Sequence, residues 1–597
     1  MTTSKTAHSA TDSNTGNNAD SDSTLESRLR ALVTRNTMGL SPKALALAYA
    51  DWSMHLTVSP MRQMQLLQKA FAMPGQVAAA LLTTADSEAA VPAQADHRFD
   101  GSGWNQWPFT VLKETFKASD AWWQDAAQAD GMSKHHQQMV GFYTRQAMDA
   151  LSPSNYPLTN PEVLRLGVAT FGQSWLNGYK SYMKDLAQQQ RARLRTDPSA
   201  AAPQDYVVGK DVAVSPGKVV FRNHLIELIQ YNPTTDTVYP EPLLIVPSCI
   251  MKYYILDLSP SNSMVRYLVG RGYTVFMVSW RNPDATDREL GLDDYLRMGV
   301  LDAMAAIRAE THTPRIHALG YCLGGTFLSI AAARLAHGDG TAAERARYPE
   351  LASVSLLAAL TDFTEPGEMG VFIDEDQVKA LRAQMARTGF LSGKQMAGSF
   401  QFLNSRDLIW SRNTRRYLLG QDEVGNDMMA WNADVTRLPA RMHSEYLDHL
   451  FLHNALAAGN LQCAGVAVAL MDIKAPMLVV GTVRDHVCPW ASVYKIHQLT
   501  DTHTTFILAA GGHNAGIVSE PGHPNRSYQL ASVEPGHGWT EPTTWQATAP
   551  KHEGSWWDAL DQWLQTRSSK RVAAKAIPPK ASLCDAPGNY AMVRYAD

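Results

Sequence analysis

From about residue 206 onward, short apolar runs alternate with helical stretches, and this rhythm restricts the chain to a parallel, doubly wound sheet. The runs are LLIVPS (243–248), YTVFMVSW (273–280), RIHALG (315–320), SVSLLAAL (353–360), MLVVGTV (477–483) and TFILAA (505–510). DDYLRMGVLDAMAAIRAE (293–310) and GTFLSIAAARLAH (325–337) supply helices between early members. Ahead of them, VVFRNHLIELIQY (219–231) is expected to form a hairpin or an edge.

The rest of the chain has a different texture. Residues 1–24 are rich in Ser, Thr, Asn and Asp and have almost nothing to bury, so they are expected to be disordered. Residues 25–205 form a helical N-terminal domain in this reading. Leu25, Leu29, Leu32 and Val33 share a helical face, and Ser41-Pro42, Ser59-Pro60 and Asn160-Pro161-Glu162 are helix-start signals. An aromatic, glycine-bearing stretch, FDGSGWNQWPF (99–109), interrupts that domain. The α/β domain is expected over 206–570, with a cap insertion at about 365–445 where the strand rhythm stops. Residues 571–597 read as an irregular tail.

GYCLGG (320–325) has the shape of a nucleophile elbow, with cysteine in place of serine. A strand (RIHALG), a sharp turn and a helix start follow one another, so Cys322 is expected to project above the sheet at a helix N-terminus. There the dipole and free N–H groups favour a thiolate and, later, an oxyanion. The acid and base then follow in the order of the α/β-hydrolase fold: Asp485 just after one buried strand and His513, in a glycine-rich turn, just after the next. Cys322, Asp485 and His513 are the expected triad. The oxyanion hole is expected from the backbone N–H of Leu323 and one from the Cys249-Ile250 loop.

Composition narrows the function classes. A net charge of -4 gives no electrostatic case for nucleic acid. No run of 18 apolar residues predicts a transmembrane span, and the polar N-terminus lacks the apolar core of a signal peptide. The five cysteines, at 249, 322, 463, 488 and 584, form no C-x-x-C pair and show no metal-ligand spacing. A reducing cytosol is the simplest expectation, with no metal or cofactor.

Beyond these local signals, the chain resembles the polyhydroxyalkanoate synthases, closest to class I, over almost its whole length. The resemblance rests on GYCLGG, on PLLIVPSCIMKYYILDLSPSNSMVRYLVGRGYTVFMVSWRNPD (242–284), on RDHVCPW (484–490), GGHNAG (511–516) and HEGSWW (552–557). In the N-terminal part it rests on SPSNYPLTNPEVL (152–164) and the stretch near Trp104. It implies an enzyme that polymerises (R)-3-hydroxyacyl-CoA, short-chain by similarity to class I, onto a growing polyester and releases CoA as a product. It implies a homodimer in the cytoplasm at the surface of polymer granules, with phasins as possible partners. By position, Cys322 is the nucleophile and His513 the base. Asp485 either orients His513 or activates the substrate 3-hydroxyl. A thioesterase or depolymerase on the same fold, or a granule-coating protein that has kept the fold, are the alternatives.

Two positions depart from the family pattern. Ile-Asn-Lys is here Ile250-Met251-Lys252, and Asn514 follows the histidine where an apolar residue is common. Elsewhere, Cys249 reads as a buried small residue, and Cys488 as packing ahead of a redox or second-nucleophile role. His486 is expected to diverge from the site, and Arg281 to pair with Asp284 or Asp287 or to meet CoA phosphates. His135, His136, His312 and His317 lack metal-site partners, and Trp556-Trp557 read as helix packing.

Overall fold

The computed structural model describes residues 42–83, 96–194, 206–338, 340–403, 405–422 and 425–594. The tail read at 1–24, the helical face starting at Leu25 and the end of the N-terminal domain at 195–205 lie outside the described residues.

Eleven strands build the central sheet. They are β1 (Gly217–Arg222), β2 (Ile226–Tyr231), β3 (Leu243–Val246), β4 (Val275–Trp280), β5 (Arg315–Tyr321) and β6 (Glu350–Leu357). Then follow β7 (Met477–Thr482), β8 (Thr504–Ala509), β9 (Ser527–Val533), β10 (Lys551–Glu553) and β11 (Cys584–Asp585). Their spatial order is β10-β9-β8-β7-β6-β5-β3-β4-β2-β1-β11. The six apolar runs of the sequence are the six parallel strands β3 to β8. The remaining strands add antiparallel at the two edges.

Every residue of β3, β4, β7 and β8 is buried. Successive side chains enter opposite layers, as the strand period of two requires. Leu244, Val246, Phe276 and Val278 join one apolar cluster, whereas Leu243, Ile245, Val275 and Met277 join the other. Strand β3 lies between β4 and β5, so the winding reverses there. In open α/β sheets, ligands bind in the crevice that such a reversal opens at the C-terminal strand ends.

Between β6 and β7 the chain leaves the sheet for residues 358–476, which contain the stretch read as a cap. Helices α8 (Glu375–Thr388) and α9 (Ala440–Tyr446) belong to it, with π-helical turns at Arg406–Ser411, Thr414–Leu418 and Leu447–Leu452. The N-terminal region is helical: α1 (Pro42–Thr57), α2 (Pro60–Thr83), α3 (Phe109–Ala126), α4 (Lys134–Leu151), α5 (Pro161–Ala169) and α6 (Gln173–Leu194). Three of these start at the prolines marked in the sequence. Asn160 caps α5, its side chain accepting from the N–H groups of Glu162 (3.0 Å) and Val163 (3.3 Å).

This helical region grips the insertion. Phe142 of α4 packs edge-on against Phe372 and Phe402. Buried Asp149 takes hydrogen bonds from Arg98 (3.0 Å) and Arg406 (2.8 Å), and Asp185 of α6 is clasped by Arg416 (2.7 and 2.9 Å) and Tyr417 (2.9 Å).

The segment read as an irregular tail docks on the α/β domain, adding β11 to the sheet edge beside β1. Buried Lys252 donates to the carbonyls of Tyr590 (3.0 Å) and Val593 (2.8 Å), and the Glu227 carboxylate accepts from the Tyr590 N–H at 2.8 Å. These anchors come from residues more than 300 positions upstream, which is why local composition gave no sign of them. No helix among the described residues is long and apolar enough to cross a membrane.

Candidate active site

Cys322 sits between β5 and α7 (Leu323–Ala336) with φ 53° and ψ −129°, a backbone conformation that L-residues adopt only under constraint. The constraint is close packing. A Cβ on Gly320 would lie 2.4 Å from the Cα of Gly325, and one on Gly324 would lie 2.2 Å from the Val246 carbonyl oxygen. Glycine at these positions lets strand, helix and the loop after β3 touch. The Cys322 N–H donates to Leu357 O at 2.9 Å, tying the elbow to β6.

The two other predicted residues meet Cys322 from neighbouring strand ends. Asp485 follows β7, and His513 follows β8. His513 Nδ1 is 2.8 Å from Asp485 Oδ2. The opposite partner is a carboxylate, so Nδ1 donates and the other ring nitrogen is left for the thiol. Asp485 itself is held from several sides. Its Oδ1 accepts from the N–H groups of Val487 (2.9 Å) and Cys488 (2.7 Å), and Oδ2 also accepts from Thr482 Oγ1 (3.2 Å). The indoles of Trp556 and Trp557, on helix α10 (Trp556–Gln565), donate to the carbonyls of Gly516 and Ile517 at 2.9 Å each. Both rings pack in the core as read, and they also fix the loop that carries His513.

Cys488 comes closer than the sequence suggested. Its sulfur, the Cys322 sulfur and a His513 ring nitrogen all lie within 4.8 Å of one another. A hydrogen bond from Cys488, joined by the His513 charge, holds the Cys322 thiol well below its ordinary value against the effect of burial. The Cys488 thiol is pushed well up by that same contact and by burial. For His513, burial opposes the charge, but Asp485 and Cys322 outweigh it and raise the imidazole well above its ordinary range. Both shifts favour a thiolate beside an imidazolium. Tyr446, at the end of α9, packs against the apolar cluster that holds Cys249 and Cys488, and burial raises its phenol well above the ordinary value. Local sequence carried no signal for Tyr446.

The Cys249-Ile250 loop lies beside the elbow. Cys249 is buried, and burial raises its thiol. The Leu323 N–H is among the groups that lower the Cys322 thiol. Ile250 N–H is turned to Ser248 Oγ at 3.3 Å, so of the two loop residues Ile250 is the one already engaged. The insertion closes over this loop: Thr436 Oγ1 donates to Cys249 O (2.6 Å), Thr436 N–H to Ile250 O (3.1 Å) and the Trp431 indole to Lys252 O (2.7 Å).

The two departing residues both touch the insertion. Met251 pairs its backbone with Val435. Asn514 accepts from the Tyr321 hydroxyl at 2.7 Å and donates to Asn432 at 3.4 Å, and the Tyr321 ring lies 5.6 Å from that of His513. An apolar residue at 514 makes neither hydrogen bond.

The remaining residues are accounted for by packing and ion pairs. Arg281 pairs with Asp284 (2.9 Å) and lies 3.7 Å from Asp287. His486 is exposed and lies 3.9 Å from Glu368. His317 is buried between Ser353 and Ser568, with its imidazole pushed down to about 4 by burial. His135 and His136 face Asp374 and Asp51, and His312 ends the helix Asp302–Thr311 in a left-handed conformation.

The arrangement has relatives. Residues 95–268 match a family profile described as the poly-beta-hydroxybutyrate polymerase (PhaC) N-terminus, and residues 242–520 match the alpha/beta hydrolase fold. Residues 21–62 match the poly-beta-hydroxybutyrate polymerase N-terminal profile. A poly(3-hydroxyalkanoate) polymerase of Methylorubrum extorquens is 39% identical over 513 residues, covering 84% of this chain and 82% of that protein. The PhaC subunit of the Rhizobium meliloti polymerase is 36% identical, over 84% of this chain and 80% of that protein. The Cupriavidus necator subunit is 38% identical, over 78% and 77%.

Proposed function

The chain belongs to the poly(3-hydroxyalkanoate) polymerase family, and from that premise we propose that it polymerises (R)-3-hydroxyacyl-CoA through an acyl thioester on Cys322. As an acyltransferase it works in two half-reactions. The Cys322 thiolate attacks the thioester carbonyl, and the N–H groups of Leu323 and Cys249 receive the oxyanion. Collapse expels the CoA thiolate, which takes the proton from His513 and leaves as CoA–SH. Neutral His513 then accepts the proton of an incoming 3-hydroxyl as that oxygen attacks the acyl-cysteine. The new oxoester forms, the C–S bond breaks, and the thiolate–imidazolium pair is restored.

The observation that carries this reading is the thiol nucleophile, aligned with His513 and Asp485 and roofed by the insertion. Loading exchanges one thioester for another and is close to thermoneutral, whereas transfer to a hydroxyl gives the more stable oxoester. A cover that excludes water favours transfer over hydrolysis. Both oxygens of Asp485 are occupied, which supports its orienting His513 over contacting the substrate hydroxyl directly. Short C4–C5 acyl groups, a homodimer, phasin contacts and a granule-surface location are the finer parts of the proposal. They follow from the family resemblance.

Incubation with C4, C5 and C6–C12 (R)-3-hydroxyacyl-CoA, following thiol release and insoluble polymer together, tests it. Polymer with matching CoA release from C4 or C5 is expected, and Cys322→Ala abolishes both. CoA released with free hydroxy acid and no polymer would favour a thioesterase.

A further inference from the structure

We propose that Cys322, Cys488 and His513 form a binding site for a thiophilic divalent cation, zinc above all, whose occupancy silences the nucleophile. The three donor atoms lie within 4.8 Å of one another, although Cys488 is far from Cys322 in sequence and no ligand spacing announces it. Zinc bonds of about 2.3 Å to sulfur and 2.0 Å to nitrogen place tetrahedral ligands about 3.5–3.8 Å apart. Side-chain movements of an ångström or so close that gap.

The surroundings suit the ion in three ways. His513 Nδ1 donates to Asp485 at 2.8 Å, the carboxylate–histidine pairing that orients the other ring nitrogen towards a metal. Two thiolates cancel a divalent charge, so the ligands and ion together add no charge beyond that of Asp485, as a largely buried site favours. Two soft sulfurs and an imidazole select zinc or cadmium over magnesium and calcium, which need oxygen ligands. The fourth tetrahedral position is left for water.

The protons balance. The bound ion takes two thiolates and a neutral imidazole, so the protons those groups carry when free are released to water and binding strengthens as pH rises. Binding does not depend on the polymerase reading; only its consequence does, because the ion occupies both the attacking sulfur and the base.

Cadmium is the probe. The reduced, chelator-treated protein is titrated with Cd²⁺ while the thiolate-to-cadmium charge-transfer absorbance is recorded. Saturation at one equivalent is expected, with the band at least halved in Cys322→Ala and in Cys488→Ala and retained in Cys584→Ser. Asp485→Asn should weaken binding about 10- to 100-fold. As a check independent of any variant's folding, equimolar Zn²⁺ should slow alkylation of Cys322 in the unmodified protein, and EDTA should restore it. A band undiminished in Cys488→Ala, or Cys322 alkylation indifferent to equimolar zinc, overturns the site.

Discussion

The backbones of Met251 and Val435 form an antiparallel bridge, which fastens the insertion to the loop that flanks Cys322. Thr436 and Trp431 reinforce that seam with three further hydrogen bonds to the carbonyls of Cys249, Ile250 and Lys252. Any opening of the insertion away from this loop has to part these contacts, so the seam is where opening is expected to be felt first.

Thr436→Val removes the hydroxyl that donates to Cys249 O. Losing one buried hydrogen bond and its satisfied carbonyl costs about 1–3 kcal/mol. Amide exchange across 431–436 should then quicken by about fivefold or more, since 1.4 kcal/mol corresponds to tenfold. Exchange equal to that of the unmodified protein would show that the seam does not hold the insertion.

Asp485→Asn tests the charge balance at the triad. The thiolate–imidazolium pair exists above the lowered Cys322 value and below the raised His513 value. Removing the carboxylate charge makes His513 less basic and Cys322 less acidic, so the window narrows from both sides. Alkylation of Cys322 against pH should shift its midpoint upward, and turnover should fall about 10²–10⁴-fold. An unmoved alkylation midpoint would mean that Asp485 does not act through His513.

Asn514→Leu restores an apolar side chain and breaks the link from Tyr321 through Asn514 to Asn432. The triad's own contacts are untouched. The expected result is a several-fold change in the ratio of free hydroxy acid to polymer, with Cys322 alkylation at neutral pH close to that of the unmodified protein. A constant product ratio would leave Asn514 a packing residue.

Lys252→Met probes the docked C-terminal segment. It orphans the carbonyls of Tyr590 and Val593, at about 1–3 kcal/mol, and should expose residues 584–594 to proteolysis. Burial holds the Lys252 ammonium down at about 8. Between about pH 8 and the ordinary value of 10.5, only the unfolded chain keeps that proton, so this group adds stability as pH rises through the window. Denaturation midpoints of the unmodified protein should therefore gain on those of Lys252→Met across that range. Parallel midpoints would contradict a buried, depressed lysine.

Much of the fold was legible because its signals are short-range. Each of the six apolar runs is a buried parallel strand, and the glycines around Cys322 report close backbone approach within one turn. The edge strands β9 to β11 were not legible. β10 and β11 are only three and two residues long, β9 is only partly buried, and what makes all three strands is the neighbour they pair with.

The division at the site has the same origin. Sequence alone determined that a cysteine stands at the elbow and that an aspartate and a histidine follow at successive strand ends. Strand order brings those ends together whatever the loops do. Only the tertiary structure decided that Cys488 lies beside Cys322, that Tyr446 of the insertion packs against the cluster holding Cys488, that Asn432 meets Asn514, and that Trp556 and Trp557 brace the His513 loop. Those contacts depend on side-chain direction in irregular segments and on packing between segments remote in sequence. No local period encodes either.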